Sequence, residues 1–518
     1  MQNRSLLTAC LVLVGLLVFG TAQARELKIA YESGPTTLDI HEQLSDSVLK
    51  LSHLSFDPLI RWTSELAFEP RLATAYQRLN PTTVRFTLRR GVRFHSGNTM
   101  TARDVKWTFD RLRSSADYQA IFAGFVELRI IDDYTIELVT RDPDPLLLNA
   151  ATYIFPMDSK FYTGTDEAGN GKNVIIKNGD SFASTHLSGT GPYRVTSSEQ
   201  GARIVFDRFA DYWDQRSPGN VSRIVLTPIE DDQARVAALF AGTVDLIAPV
   251  PLADFGQIRS SSSVELITIP GTRIIGLQMN QQRRPEFRDQ RVRLAMALAI
   301  NNEDIVRKTM QGFATTAAQF SPSGYLGHNP KLKPRYDLAL ARKLMQDSGH
   351  ENGFGVTMMA PNDRYINDGK IAQEVASMLS RINIRVDLLT LPETQYSPAF
   401  DDRAADIMMI GWHSDTEDSA NFFEFLAMTP NPSTGMGAYN AGNYSSEYVD
   451  QMTVQSNAET DPKKRSEMLQ SIEARIYQDA AFIPLHWENL AWAARKGVRI
   501  APVVNALNLP YLGDLVID

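Results

Sequence analysis

A mixed α/β fold follows from three features of the 518-residue sequence. Apolar segments of strand length with period-two alternation recur along the chain. Between them, above all in the second half, lie stretches with apolar residues at helical spacing, several preceded by an aspartate able to cap a helix. The composition, 43% hydrophobic and 22% charged, is that of a large folded chain and not of a disordered one. At about 150 residues per compact unit the length allows roughly three or four units.

The first strand is expected at Glu26 to Tyr31, around Leu27 and Ile29, and Ser33-Gly34-Pro35 breaks it. Val84-Arg85-Phe86-Thr87-Leu88 alternates and stops near Gly91. Thr101 and Asp104 make a capping-box-like start for a helix carrying Val105, Phe109 and Leu112. Residues 134–138 form another strand, and 164–179, rich in Gly, Asn and Asp, read as an exposed loop. After a strand at Arg203 to Phe209, a helix follows Asp231-Asp232 through Val236 and Leu239 and stops at Gly242 before the strand Val244 to Ile247. Asp289 and Asp337 cap two further helices, the second ending near Gly349, and a third carries Ile371, Val375 and Met378 into a strand at Ile384 to Leu388. Residues 406–411 are a short apolar strand, and Asp461-Pro462 opens a long amphipathic helix ending before a strand near Phe482. No 20–50-residue repeat and no heptad array is present.

Residues 1–24 have the form of a secretory leader: Arg4, the apolar run Leu6 to Phe19, and the small-x-small signal Ala22-Gln23-Ala24. Cys10 sits in a lipoprotein-like box, but most of the apolar run follows it, so cleavage after Ala24 is expected. Cleavage removes Arg4 and no acid, leaving 51 − 60 = −9 and no cysteine. That excludes a disulfide framework and thiol catalysis. No later segment has the ~20 apolar residues of a membrane span, so a soluble exported protein is expected. The acidic balance argues against general nucleic-acid binding.

Catalytic signatures are missing. There is no G-x-S-x-G, no His-Glu-x-x-His and no phosphate-binding Gly-x-x-x-x-Gly-Lys-Ser/Thr. The eight histidines are scattered without the spacing of a zinc site. No enzyme activity, metal or cofactor is therefore expected; a secreted hydrolase working through clustered carboxylates is the alternative of another class.

The most informative stretch runs Leu88-Arg89-Arg90-Gly91-Val92-Arg93-Phe94-His95-Ser96-Gly97 and on through Thr101-Ala102-Arg103-Asp104-Val105-Lys106-Trp107-Thr108-Phe109. It resembles the signature of family 5 extracellular solute-binding proteins, the peptide-binding group serving ABC importers, with Ser96-Gly97 where the family usually has Asp-Gly. Further likenesses follow in order at residues 189–193, 211–213, 239–245, 291–300, 336–344 and 411–415. The signature itself reads as strand, glycine turn and capped helix with a solvated basic face, and 189–193 as a chain reversal; neither locates a ligand.

Gly411-Trp412-His413-Ser414-Asp415 carries the site candidates. It follows a short apolar strand, where α/β folds open toward a ligand crevice. Asp415 is suited to a cationic amine and Trp412 to an apolar ligand part. The resemblance implies that the acid of a Gly-Trp-x-x-Asp segment holds a peptide amino terminus; read from the residues alone, Asp415 caps the helix through Phe422 and Phe425, with Trp412 in the core. The family often continues Asp-Tyr-x-Asp-Pro, whereas here Asp415-Thr416-Glu417-Asp418-Ser419 follows. His413 is a candidate for an anionic or chelate ligand, or a structural histidine. Arg364 resembles the place where dipeptide-binding relatives hold the ligand carboxylate, with a surface ion pair as the other reading.

The resemblance implies a two-lobed, type II-like Venus-flytrap architecture. Lobe I is expected at 25–272 plus 480–518, with 56–188 as an extra subdomain, and lobe II at 273–479. The function implied is periplasmic capture of a short peptide or related amine-bearing solute by a monomer and its delivery to inner-membrane ABC permease subunits. Metal chelates, opines and oligosaccharides are the other ligands the same fold serves.

Overall fold

The computed structural model describes residues 25–518 apart from 178 and 200; the expected leader, 1–24, lies outside the described residues. Their organising element is an eleven-stranded mixed sheet. At its centre two long antiparallel strands, Val264–Met279 and Phe482–Arg495, run side by side. On one flank, Gly355–Pro361 lies parallel to both Arg385–Leu391 and Ile407–Trp412. On the other, Glu26–Tyr31 lies parallel to Arg223–Leu226 and Leu246–Ala248. Parallel neighbours require crossover connections, which here bring in helices such as Asp232–Ala241 and Asp368–Ser380. The α/β expectation is met in both flanks.

The capping aspartates act where the sequence places them. Asp231, Asp289, Asp337 and Asp461 each accept the backbone N–H of a first helical turn. Thr101 and Asp104 form the full reciprocal box, and Asp104 also accepts from the Ser159 hydroxyl at 2.6 Å. The signature around Arg89 to Phe109 is thus structural: Val92, Phe94, Val105 and Phe109 are buried in one core with the four-stranded antiparallel sheet Ala73–Asn80, Thr83–Leu88, Thr135–Thr140 and Phe125–Asp132. Its basic face is less solvated than expected, because the Arg89 guanidinium lies 4.1 Å from the Trp213 ring and donates to the Arg71 carbonyl. Residues 189–191 do more than reverse the chain. Gly191 N donates to the Ser55 carbonyl at 3.0 Å, and a side chain there would lie 2.5 Å from Phe56 N. Glycine lets the backbone sit directly on the end of the helix Asp46–Ser55.

The two central strands change partners in mid-course. Their register shifts between Pro270 and Ile274, opposite Asn489 and Trp487. Gly271 sits in the shift, where a Cβ would lie 2.5 Å from the Glu488 carbonyl oxygen. Side chains before the shift, such as Val264, pack with Ala491 and Ala493 against the Glu26–Tyr31 flank. Those after it, such as Ile275 and Leu277, pack with Ile483 and Leu485 against the other flank. Both strands therefore serve two cores.

One buried ion pair fixes the start of the helix Ser419–Leu426. Asp418 caps it by accepting from Ala420 N at 2.9 Å, and the same carboxylate takes two bonds from Arg465, at 2.6 and 2.7 Å. Asp418 is 4% exposed and Arg465 2%. Removing one partner of a buried pair leaves an uncompensated charge and costs about 3–5 kcal/mol. Asp418→Ala is expected to lose that much in chemical denaturation. Asp418→Ser combined with Arg465→Met, which keeps a cap and removes the stranded charge, is expected to lose clearly less.

Candidate functional site

A cavity of about 860 Å³ opens where the central strands cross between flanks. Gly271, Thr272 and Arg273 from one strand and Glu488, Asn489 and Leu490 from the other form its floor. Its walls come from both sides of the sheet: Glu32, Ala248 and Pro249 on one, and Arg364, Tyr365, His413, Asp415 and Glu417 on the other. Tyr153 and Phe155 from the 56–188 segment, and Leu507 and Tyr511 near the end of the chain, close it further. A second space of about 750 Å³ lies around Arg61, Arg71, Asp214 and Asp514. Its central charges already satisfy one another: Arg61 holds Asp514 at 2.8 Å and Arg71 holds Asp214 at 3.2 Å. The crossing-point cavity, with carboxylates not so matched, is the candidate site.

Residues 413–417 reach the cavity because both ends of the segment are held. At the first end, Tyr365 donates its hydroxyl to the Gly411 carbonyl at 3.3 Å. Within it, the Ser414 hydroxyl accepts from Asp418 N at 3.0 Å, and Asp418 is locked by Arg465. From the 56–188 segment Asn149 donates to the Thr416 carbonyl at 2.8 Å. Glu417 takes the left-handed conformation, φ 50°, one that costs a non-glycine residue of order 1 kcal/mol or more and recurs at ligand sites. The turn presents its carboxyl to the Tyr153 hydroxyl, which donates at 3.3 and 3.4 Å.

The four sequence candidates are placed differently. Asp415 lines the cavity with its side chain 74% exposed, facing His413 Nε2 at 3.3 Å. It does not cap the helix through Phe422 and Phe425; Asp418, three residues on, performs that task. His413 also lines the cavity. Arg364 lines it too, while paired to Glu393 at 3.4 Å and donating to the Ser397 hydroxyl at 3.2 Å. Trp412 is outside the lining: its indole N–H donates to Asn421 at 2.9 Å and its ring packs on Phe425 and Tyr439. Among the described residues no group of three or more His, Cys, Asp or Glu is arranged to hold a metal ion.

Glu417, Tyr153, Arg273 and Glu488 were not singled out from the sequence. Glu488 accepts from Ile366 N at 3.3 Å and faces Arg273 at 3.7 Å, and burial pushes its carboxyl above the usual range. Burial pushes Glu417 further, up to about 8; the neighbouring Asp415 charge adds to this, while the Tyr153 hydrogen bond opposes it. The departure from the family pattern at 415–419 was the one available signal for Glu417. The others sit far apart in sequence with no local motif.

The comparisons agree with this geometry at the level of class. The model of the bacterial extracellular solute-binding proteins, family 5 Middle, matches residues 67–433, and the chain belongs to that family. It is an extracellular solute-binding protein and not an enzyme. The glutathione-binding protein GsiB of Escherichia coli O1:K1 / APEC is 24% identical over 515 residues, covering 96% of this chain and 95% of its own. HbpA2 from Haemophilus parasuis superposes with a TM-score of 0.82 at 18% identity, over 95% of this chain and all of that one. The periplasmic binding protein DppA from Helicobacter pylori, in complex with the peptide STSA, gives 0.67 at 21% identity over 95% and 98% of the two chains. No helix among the described residues is long and apolar enough to cross a membrane.

The Glu417 environment has a measurable consequence. A carboxyl whose folded pKa, about 8, lies above its ordinary 4.5 binds its proton more tightly in the native state. Its stabilising effect is complete below the lower value and is lost as pH rises toward the upper one, at up to about 1.4 kcal/mol per pH unit. Glu417→Gln abolishes this slope, so the variant should gain stability relative to the parent between pH 5 and 8 in denaturant titrations. A constant difference across that window would mean Glu417 is ionised in the folded protein.

Proposed function

We propose that the chain captures a short peptide or related amine-bearing solute between two lobes in the periplasm and delivers it to the permease subunits of an ABC importer. The observation that carries this reading is the placement of Asp415: a carboxylate at a cavity between the two flanks, relieved of helix capping by Asp418. An ammonium group is its natural partner, and charge-assisted bonds of this kind are roughly twice as strong as neutral ones. Relatives named for glutathione and crystallised with a peptide carry the same ligand class. Arg364 stands on the same cavity wall as His413 and Asp415 and is the candidate for the ligand's carboxylate.

The lobes of this reading are 25–272 with 480–518, and 273–479. Phe482, Ile483, Leu485 and Trp487 of the returning segment pack in the same cores as Ile274 and Ile275, so that strand joins the two lobes through shared packing. Residues 56–188 remain an extension of the first lobe. Two adjacent crossing strands suit a hinge that closes over ligand; the closed form gains only by the ligand's preference for it.

Native mass spectrometry of protein purified gently from its own envelope identifies the retained ligand, and calorimetric titration then tests Asp415. Truncating one member of a charge pair that closure buries costs at least ~2 kcal/mol, which is about 30-fold in affinity. Asp415→Asn should weaken binding by that factor with little change in thermal stability. Near-parental affinity would remove Asp415 from the site.

A further inference from the structure

The cavity's charges are unequally satisfied. Its arginines already have acidic partners: Arg61 is held by Glu69 at 2.7 Å, Arg273 by Glu488 and Arg364 by Glu393. Asp415 and Glu417, by contrast, face the same space from one loop without a lysine or arginine partner among the described residues. Two carboxyls facing one space are acceptors, and an ammonium brings three donors.

Resting on the amine-binding role of Asp415, we infer that Glu417 is a second cation-selecting group, so that the preferred ligand carries two positive charges close together, as in a short peptide with a basic side chain in its first or second residue. The turn holding Glu417 serves this role. A left-handed residue between two fixed neighbours points the carboxyl inward, and the Tyr153 hydroxyl occupies only part of its accepting capacity.

The charged and titratable groups acting on Glu417 are Tyr153, Tyr325 and Asp415, the last facing His413; Asp418 is neutralised by Arg465. None supplies a permanent cation to Glu417. Its raised pKa, about 8, keeps it protonated at neutral pH, so a ligand cation arriving there displaces the proton. The carboxyl O–H breaks, the proton passes to buffer, and the carboxylate pairs with the ligand ammonium.

The test titrates the full-length mature protein with Ala-Ala-Ala, Lys-Ala-Ala, Ala-Lys-Ala and putrescine at pH 7, in phosphate and in Tris. A lysine tripeptide should bind roughly tenfold or more tighter than trialanine and release toward one proton. Glu417→Gln should abolish both the preference and the release. Tyr153→Phe, which removes the hydroxyl but keeps the carboxyl, should retain the preference; its loss there would mean that Glu417 acts only as a structural tie. Asp415→Asn should weaken all the peptides together, which separates the amine reading from this one. Equal affinity for trialanine and lysine peptides, or a lysine preference persisting in Glu417→Gln, overturns the inference. Glu417-dependent binding of putrescine without any peptide would uphold the second cation and reject the peptide; no binding of any probe would reject both.

Discussion

Asp418 performs two tasks with one carboxylate, and the shape of the cavity wall depends on both. It caps the helix Ser419–Leu426 and binds Arg465 through both oxygens in a region closed to water. A buried bidentate pair of this kind is a weak source of net stability but a strong constraint on geometry, since any other arrangement strands a charge. With Asp418 fixed, Ser414 can tie the preceding turn, Glu417 can be held at positive φ, and Asp415 is left free to face the cavity. A cap at Asp415 itself would have withdrawn that carboxylate into the helix start.

The second constraint is the pair of central strands. Each contributes to two cores, and the register shift at Pro270 and Ile274 marks the place where it passes from one to the other. The cavity floor is made from that passage. Placing the floor there brings groups from both flanks to one cavity; under the proposed function, a ligand held there bears on the relation between the flanks only through its preference for one arrangement. The Asn149 and Tyr153 bonds tie Thr416 and Glu417 to the 56–188 segment.

Local chemistry made much of the fold readable in the sequence. Aspartates before apolar-periodic stretches mark helix starts at Asp231, Asp289, Asp337 and Asp461 because capping depends on neighbours two or three residues away. The helix Asp46–Ser55 was not anticipated. Its buried face includes Lys50 and Ser52, which break the apolar pattern: Ser52 donates to the Val48 carbonyl and Lys50 pairs with Asp46 one turn back while lying 4.6 Å from the Tyr31 ring. Pro270-Gly271 lies inside a 16-residue strand, at the place where that strand changes partners rather than ends. Local likenesses in the sequence single out Asp415, His413 and Arg364, which line the cavity, and also Trp412, which does not; Glu417, Tyr153 and Glu488 come together across distances no local pattern encodes.

The most direct measurement is a crystal structure of the protein with the ligand it retains from its own envelope. The account predicts ligand in the cavity at the strand crossing, touching residues of both flanks, with an amine nitrogen within about 3 Å of an Asp415 carboxylate oxygen. A ligand seated elsewhere, in the space around Arg61 and Arg71 for example, or one in the cavity that leaves Asp415 to solvent, would contradict it.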